Sequence, residues 1–357
     1  MHGQFIRVAA KETNLLKVAL NYEQLQVGVK LGGAVATKPP GTLLFFMLTQ
    51  KASLLLEGDN YSRLLTLCAV VYPLLSYLVL VPLFFFSRLF FDEESALLTC
   101  SLYLFLPNLI LINLHLDQVL YPFLFISSLT LAVYAYQKDS ILLAVLSGLV
   151  TYLAIYVSFS LLVLLPLIVM LLSAQMLKMK ITQASLWRLG STLMGIIAGC
   201  LMLEGIAYLF LNYNTLLRYR NAIAFHAAFK NWQPTAGETL TYALVNYVEY
   251  ACWLGIPLVC FYLAGIKNSL VNLLSGEKNL IDLFSIALLI IFLMLGILGK
   301  TKGEVARLWL FLAPLICCFV VAELNSRFMI NKERAFKALV LLQLATSLVI
   351  KRFQDFY

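Results

Sequence analysis

The sequence predicts an all-α, polytopic integral membrane protein of about ten transmembrane helices plus one interfacial helix. Three observations carry this. Of 357 residues, 62% are hydrophobic and only 12% are charged, whereas a soluble domain is about 45–50% apolar and about 25% charged. The mean hydropathy is +0.89. The apolar residues gather into runs close to the ~20 that cross a bilayer core as helix, separated by short charged turns. A soluble enzyme, a disordered chain and a disulfide-built secreted scaffold are excluded on these grounds. Cys68, Cys100, Cys200, Cys252, Cys260, Cys317 and Cys318 all fall inside apolar runs without a CxxC pair. They read as small apolar residues rather than zinc ligands or disulfide partners. The net charge of +8 lies mostly between apolar segments, where Lys and Arg set topology or meet lipid phosphate, so no nucleic-acid partner is expected.

Along the chain, residues 1–40 are mixed and polar, with neither a run long enough to span nor a secretory signal. They are read as an extracytoplasmic segment ahead of a multi-helix transmembrane domain over 41–357. Residues 42–56 are short for a span and suit a helix at the interface. Spans are expected over 64–91 (with Pro73 and Pro82 inside), 95–114, 119–136, 141–156 paired with 161–172, 189–211, 247–266, 280–298, 308–321 and 338–350. Residues 212–246 read as the longest polar loop after the N-terminal segment.

Alternation of spans puts loops 173–188, 267–279 and 323–337 on one side. These loops hold Lys178, Lys180, Arg188, Lys267, Lys278, Arg327, Lys332, Arg334 and Lys337, which makes that side cytoplasmic by the positive-inside rule. The protein is accordingly expected in the cell (plasma or inner) membrane with its working face outside. Residues 1–40 then lie outside with no helix before them, so a further helix upstream is expected.

Four polar features gather on the outer side. Lys38 stands before Pro39 and Pro40, on a stiff extended backbone that would present a cation to phosphate at the bilayer surface. His115, Asp117 and Gln118 lie at the mouth between two spans, where imidazole and carboxylate could do acid–base work or help hold a divalent ion; one His with one carboxylate is too few for a zinc site. Lys300, Lys302, Glu304 and Arg307 crowd a span boundary; Glu304 and Arg307 pair at i, i+3 if the segment is helical, or Arg307 grips a phosphate. Arg218, Arg220, His226, Lys230, Trp232 and Glu238 occupy the 212–246 loop and suit a headgroup or acceptor surface. Each also has a plainer reading as a turn, an anchor or a solvated loop. Glu204, inside a span, should face the protein interior and have a partner.

The chain resembles membrane glycosyltransferases of the GT-C superfamily, of the protein O-mannosyltransferase and aminoarabinose-transferase type. Ala36-Thr37-Lys38-Pro39-Pro40-Gly41 looks like the Lys-Pro-Pro segment of the first outer loop. Arg63, Ser87-Arg88-Leu89-Phe90 and Asp92-Glu93-Glu94-Ser95-Ala96 resemble the following helix and its cytoplasmic turn. Leu114-His115-Leu116-Asp117-Gln118 with Tyr121-Pro122 resembles the second outer loop, and Gly303-Glu304-Val305-Ala306-Arg307-Leu308-Trp309 a late outer loop.

The resemblance implies transfer of a sugar from a polyprenyl-phosphate carrier to a lipid, glycan or protein acceptor. It implies a catalytic role for Asp117, with a divalent metal ion admitted there, and lipid-phosphate binding by Lys38 and Arg307. His115, Gln118, Glu304 and Lys302 would support them. One departure stands out: the family's principal acidic motif precedes the Lys-Pro-Pro segment, and here only Glu12 and Glu23 do, in no matching context. Two other functions therefore stay open, a non-catalytic binder of the lipid carrier and a transporter or flippase of lipid-linked sugars.

Overall fold

The computed structural model describes residues 2–12, 14–27, 33–112, 115–178, 181–230, 235–277, 279–298, 303–328 and 330–353, without the side chains of 2, 26, 27, 33, 34, 229 and 230. Helix prevails, and no strand occurs among the described residues. In hydrocarbon each backbone N–H and C=O must be paired within its own segment, which selects helix.

The N-terminal segment folds as four short helices, α1 (His2–Lys11), α2 (Leu15–Leu20), α3 (Tyr22–Val27) and α4 (Gly33–Ala36). Phe5, Ile6 and Ala9 share one face of α1 and are buried. They pack against α5 (Pro40–Ala52), where the Phe5 ring stacks on Phe46 with centroids 5.9 Å apart. Pro40 opens α5 at a position whose N–H would have no helical partner, so the missing donor costs nothing there. The helix expected at the interface is thus largely enclosed, with α1, α6 and α11 around it.

Next come α6 (Asn60–Leu75), capped by the Asp59 carboxylate, and α7 (Leu80–Ser87), joined into one run by a 3₁₀ turn. The expected span over 95–114 is broken into α8 (Glu93–Leu104) and α9 (Pro107–Leu111). Pro107 disfavours helix in Leu106, which is extended (ψ 129°). Then α10 (Leu116–Lys138), the axis of the molecule, turns back at Asp139 (φ +52°) into α11 (Ile141–Val157). A 3₁₀ turn leads into α12 (Leu164–Lys178), and α13 (Gln183–Leu211) follows.

The region expected as a polar loop over 212–246 is instead mostly helical: α14 (Thr215–Lys230) and the start of α15 (Ala236–Leu254). The Thr235 hydroxyl and the Glu238 carboxylate form a capping box that starts α15. Glu204 on α13 accepts from the Tyr152 hydroxyl (2.8 Å), the Thr215 N–H (3.1 Å) and the Thr215 hydroxyl, fixing the start of α14 to α11 and α13. It is the partnered interior carboxylate that its place in a span requires.

The expected span over 247–266 breaks at Gly255 (φ +95°), ahead of Pro257. A Cβ there would collide with the Gln343 side-chain amide, whose Nε2 donates to Leu254 O at 2.8 Å. Beyond it run α16 (Ile256–Leu274), α17 (Leu280–Ile297), the four-residue α18 (Val305–Leu308), α19 (Ala313–Arg327) and α20 (Lys332–Phe353).

Among the described residues seven helical runs are long and apolar enough to cross a bilayer: Asn60–Ser87, Leu116–Lys138, Phe159–Lys178, Gln183–Leu211, Ile256–Leu274, Leu280–Ile297 and Leu310–Arg327. Ile141–Val157 is apolar but shorter. The chain is an all-α polytopic membrane protein. Its main core joins α10, α12, α17 and α19, with Phe125, Phe284, Phe311 and Phe319 fully or nearly buried.

Candidate functional site: a buried carboxylate between two cations

Lys38 lies on the short strap between α4 and α5. Four attachments fix that strap. The Tyr22 hydroxyl reaches Lys38 O (3.0 Å) and Val35 O (3.3 Å). Arg218 Nη2 donates to Ala36 O at 2.7 Å. Thr42 Oγ1 donates to Val157 O at 2.8 Å. Gly41 presses onto the end of α11, so closely that a Cβ would lie 2.5 Å from Tyr156 O. The Pro-Pro pair stiffens the strap, and glycine is the residue that lets it seat.

So held, Lys38 Nζ lies 3.3 Å from Asp117 Oδ1 and donates to the Tyr121 hydroxyl at 2.8 Å. Its ammonium also stands 5.3 Å from the Tyr121 ring centroid and 5.9 Å from that of Phe5. Burial and the like charge of Arg307 both pull the ammonium's pKa down, but attraction to Asp117 and Tyr121 prevails and leaves it above the ordinary lysine value.

Asp117 and Tyr121 are four residues apart and so share a face of α10. Asp117 is 0% exposed. The start of α10 is closed by a reciprocal pair, His115 N–H to Gln118 Oε1 (3.3 Å) and Gln118 N–H to His115 O (3.0 Å). Gln118 Nε2 donates to Asn108 O (2.8 Å), and Asn108 Nδ2 to Ala306 O (3.2 Å). That relay couples α10 through α9 to α18.

Arg307, on α18, completes the cluster. Its Nε lies 3.1 Å from Asp117 Oδ2, and its Nη2 lies 2.8 Å from Glu304 Oε2. The expected i, i+3 pair is present. Gly303 (φ +73°) and Glu304 (φ +68°) are both left-handed, the first without strain and the second at a cost of order 1–3 kcal/mol.

Three segments far apart in sequence thus place Lys38 and Arg307 on opposite oxygens of one buried carboxylate. Two cations beside Asp117 would repel a divalent ion, and among the described residues no group of three or more His, Cys, Asp or Glu converges on a point. The residues present do not fit a metal at Asp117. Lys302 lies outside the described residues, as do Lys300 and Trp232.

Arg218, read as part of a loop surface, is instead 0% exposed. It pairs with Glu23 at 3.4 Å, and Asn221 Nδ2 donates to the same carboxylate at 3.1 Å. Glu23, set aside for want of context, is thereby a support of the Lys38 strap. Arg218 was expected on a headgroup or acceptor surface and Tyr121 entered only as part of the second-outer-loop motif, while Tyr22 and Glu23 were not legible as site residues. Of these only Tyr121 carried a usable signal, its helical spacing from Asp117; the others act through contacts between distant segments.

No protein-family model and no curated protein matches the sequence. Solved structures do share its fold. The oligosaccharyltransferase of Archaeoglobus fulgidus, in complex with Zn and sulfate, superimposes with a TM-score of 0.57 at 14% identity over 87% of this chain and 44% of that one. The same enzyme tethered to an acceptor peptide containing the NVT sequon gives 0.57 at 14%, over 88% of this chain and 45% of that one. Archaeal oligosaccharyltransferase AglB from Archaeoglobus fulgidus, in complex with an inhibitory peptide and a dolichol-phosphate, gives 0.57 at 13%, over 88% of this chain and 46% of that one. The chain spans less than half the length of these structures. What the likeness establishes is the fold: this chain shares the all-α membrane architecture of the archaeal oligosaccharyltransferase over most of its own length.

Proposed function

We propose that this chain is a membrane glycosyl-transfer unit that takes a sugar from a polyprenyl-phosphate carrier at the extracytoplasmic face. The observation that carries the reading is the convergence of Lys38 and Arg307 on Asp117 where α10 begins. The donor's phosphate gains negative charge as the bond between the sugar's anomeric carbon and the phosphate oxygen breaks. Two positioned cations stabilise that charge in a low-dielectric setting. Both have donors to spare. Lys38 commits two of its three ammonium protons, to Asp117 and Tyr121; Arg307 commits one of its five N–H groups to Glu304, while its Nε stands in an ion pair with Asp117.

Asp117 then serves chiefly as the counter-ion that holds the cations apart and aimed. A carboxylate whose two oxygens both face cations is a weak base for an acceptor hydroxyl. Gln118 and His115 fix the start of α10, and Glu304 holds Arg307 until phosphate arrives. The bound dolichol-phosphate and acceptor peptide of the archaeal neighbour agree in chemical class with a lipid-linked donor and a peptide, lipid or glycan acceptor.

A second reading, a lipid-carrier binder without turnover, is favoured by the same occupancy of Asp117. The deciding experiment reconstitutes the full chain in proteoliposomes with dolichyl phosphate mannose or a polyprenyl phosphate aminoarabinose. Release of sugar that falls in Lys38→Ala and Arg307→Ala supports transfer. Binding of the carrier without release selects the binder, and movement of intact carrier between leaflets selects a transporter. Absence of binding and release refutes all three.

A further inference from the structure

We propose that the seam between α1 and α6 binds the headgroup of an anionic phospholipid, at a site separate from the Lys38–Asp117–Arg307 cluster. The seam holds a cleft of about 560 Å³, lined by Arg7, Ala10 and Lys11 of α1 and by Asp59, Asn60 and Tyr61 at the start of α6. Arg7 and Lys11 are four residues apart, so they share a face of the helix, where like charges repel. Both are exposed, and neither has a carboxylate partner among the described residues. Asp59, the carboxylate that lines the cleft, does not pair with them. Its Oδ1 accepts from the Tyr61 and Ser62 N–H groups (2.9 and 3.1 Å) and its Oδ2 from the Ser62 hydroxyl (2.7 Å), which commits it to capping α6. The dipole of α1 accounts for Lys11, in its last turn, but not for Arg7. Two cations against one carboxylate leave the lining residues one positive charge in surplus, the complement of a single phosphodiester.

The place of the cleft fits a lipid rather than a free anion. Asn60 begins the run Asn60–Ser87, which is long and apolar enough to cross a bilayer, so the cleft lies at the membrane surface. Tyr61 and Leu65 follow on one face of α6 and are both exposed, an apolar wall leading from the headgroup level towards the acyl chains. Beside the cleft, Leu54, Leu55 and Leu56 stand exposed on the connection from α5, Leu55 to 93%. Three neighbouring leucines in that state are penalised by water and accommodated by lipid tails. The floor is firm: Asn60 Nδ2 donates to Ala10 O (3.3 Å), and Arg63 Nη2 to Asn60 Oδ1 (2.6 Å). Helix α1 thus buries Phe5, Ile6 and Ala9 in the protein and turns Arg7 and Lys11 to the headgroups. A phospholipid seated here joins α1 to α6, and α1 carries Phe5, whose ring borders the Lys38 ammonium.

The test uses the full chain, delipidated in detergent, and native mass spectrometry with added dioleoyl phosphatidylglycerol. This lipid should be retained in preference to dioleoyl phosphatidylcholine, whose headgroup carries its own cation. Arg7→Gln should weaken retention about fivefold, and Arg7→Gln combined with Lys11→Gln about thirtyfold, the scale of one and two basic residues at a lipid surface. Arg7→Lys, which keeps the charge, should recover most of the loss. Lys17→Gln, an exposed cation on α2 outside the cleft, should leave retention unchanged, and so should Arg307→Ala. Because Arg7 is exposed and unpaired, the lipid-free Arg7→Gln protein should unfold at the parent's temperature, which marks the loss as one of binding. Equal loss in Lys17→Gln, or equal retention of phosphatidylcholine, would overturn the proposal by reducing it to general attraction. Glycerol phosphate competing as well as phosphatidylglycerol would make the ligand a free phosphate and overturn it too. Displacement by dolichyl phosphate, or loss of phosphatidylglycerol in Arg307→Ala, would instead make the cleft part of the carrier site. A failure of sugar transfer leaves these results standing, since none of them depends on turnover.

Discussion

Replacing Asp117 by Asn is the most informative single perturbation of this protein. It keeps the shape of a fully buried side chain and removes one charge that two cations share. At an effective dielectric constant of about 20, each cation–carboxylate attraction across ~4 Å is about 4 kcal/mol. Without the carboxylate, Lys38 and Arg307 face each other across the vacated charge and repel. Their side chains are 17% and 11% exposed, so water relieves only part of this. Loss of one member of a buried ion cluster typically costs about 3–5 kcal/mol, and that is the expected destabilisation.

Thermal unfolding of the detergent-solubilised chain, with and without dolichyl phosphate, reads it out. The lipid phosphate supplies the missing negative charge, so it should stabilise Asp117→Asn more than the parent. A loss below about 0.5 kcal/mol, the scale of an ordinary surface substitution, would mean that the three charges do not meet. Equal stabilisation of both proteins by the lipid would mean that phosphate does not approach these cations. Abolished transfer with stability and phosphate binding both intact would make Asp117 the base and refute the counter-ion role.

Three further outcomes are expected. Gly41→Ala should destabilise by about 1–3 kcal/mol through overpacking against Tyr156, and should also weaken phosphate binding because it lifts the strap that carries Lys38; unchanged affinity at reduced stability would separate the strap from the site. Glu304→Gln should tighten dolichyl phosphate binding several-fold by titration, since the half-exposed Glu304 carboxylate competes for Arg307 Nη2; weaker binding would show that Glu304 orients Arg307 instead of screening it. Raised above its ordinary value, the pKa of Lys38 keeps the ammonium charged through the neutral range. Its contribution to stability is thus complete below the unfolded-state value of about 10.4 and is lost only as pH rises through the higher folded-state value. A stability profile that already falls near pH 8 in the parent but not in Lys38→Met would contradict that.

Much of this protein was legible without coordinates. Lys38, Asp117 and Arg307 each stood out because a charge beside an apolar span, on a stiff or capped backbone, is costly to keep without purpose. The membrane class followed from composition, and most spans from run length. Elements that failed to read did so for particular reasons. Residues 212–246 are polar enough to look like a loop, yet Thr235 and Glu238 cap a helix there and Arg218 is enclosed by Glu23, Asn221 and the strap carbonyl. The expected spans over 95–114 and 247–266 are broken where Pro107 and Gly255 interrupt them.

What the sequence alone determined is local: apolar length, the proline-stiffened strap and the i, i+3 pairing of Glu304 with Arg307. What only the tertiary structure decided is that Lys38 and Arg307 meet the same carboxylate, that Glu23 supports the Lys38 strap through Arg218, and that both oxygens of Asp117 face cations. The physical reason is that patterning of one segment reports which face it buries, whereas the partner of a buried charge is chosen by packing between segments far apart in the chain.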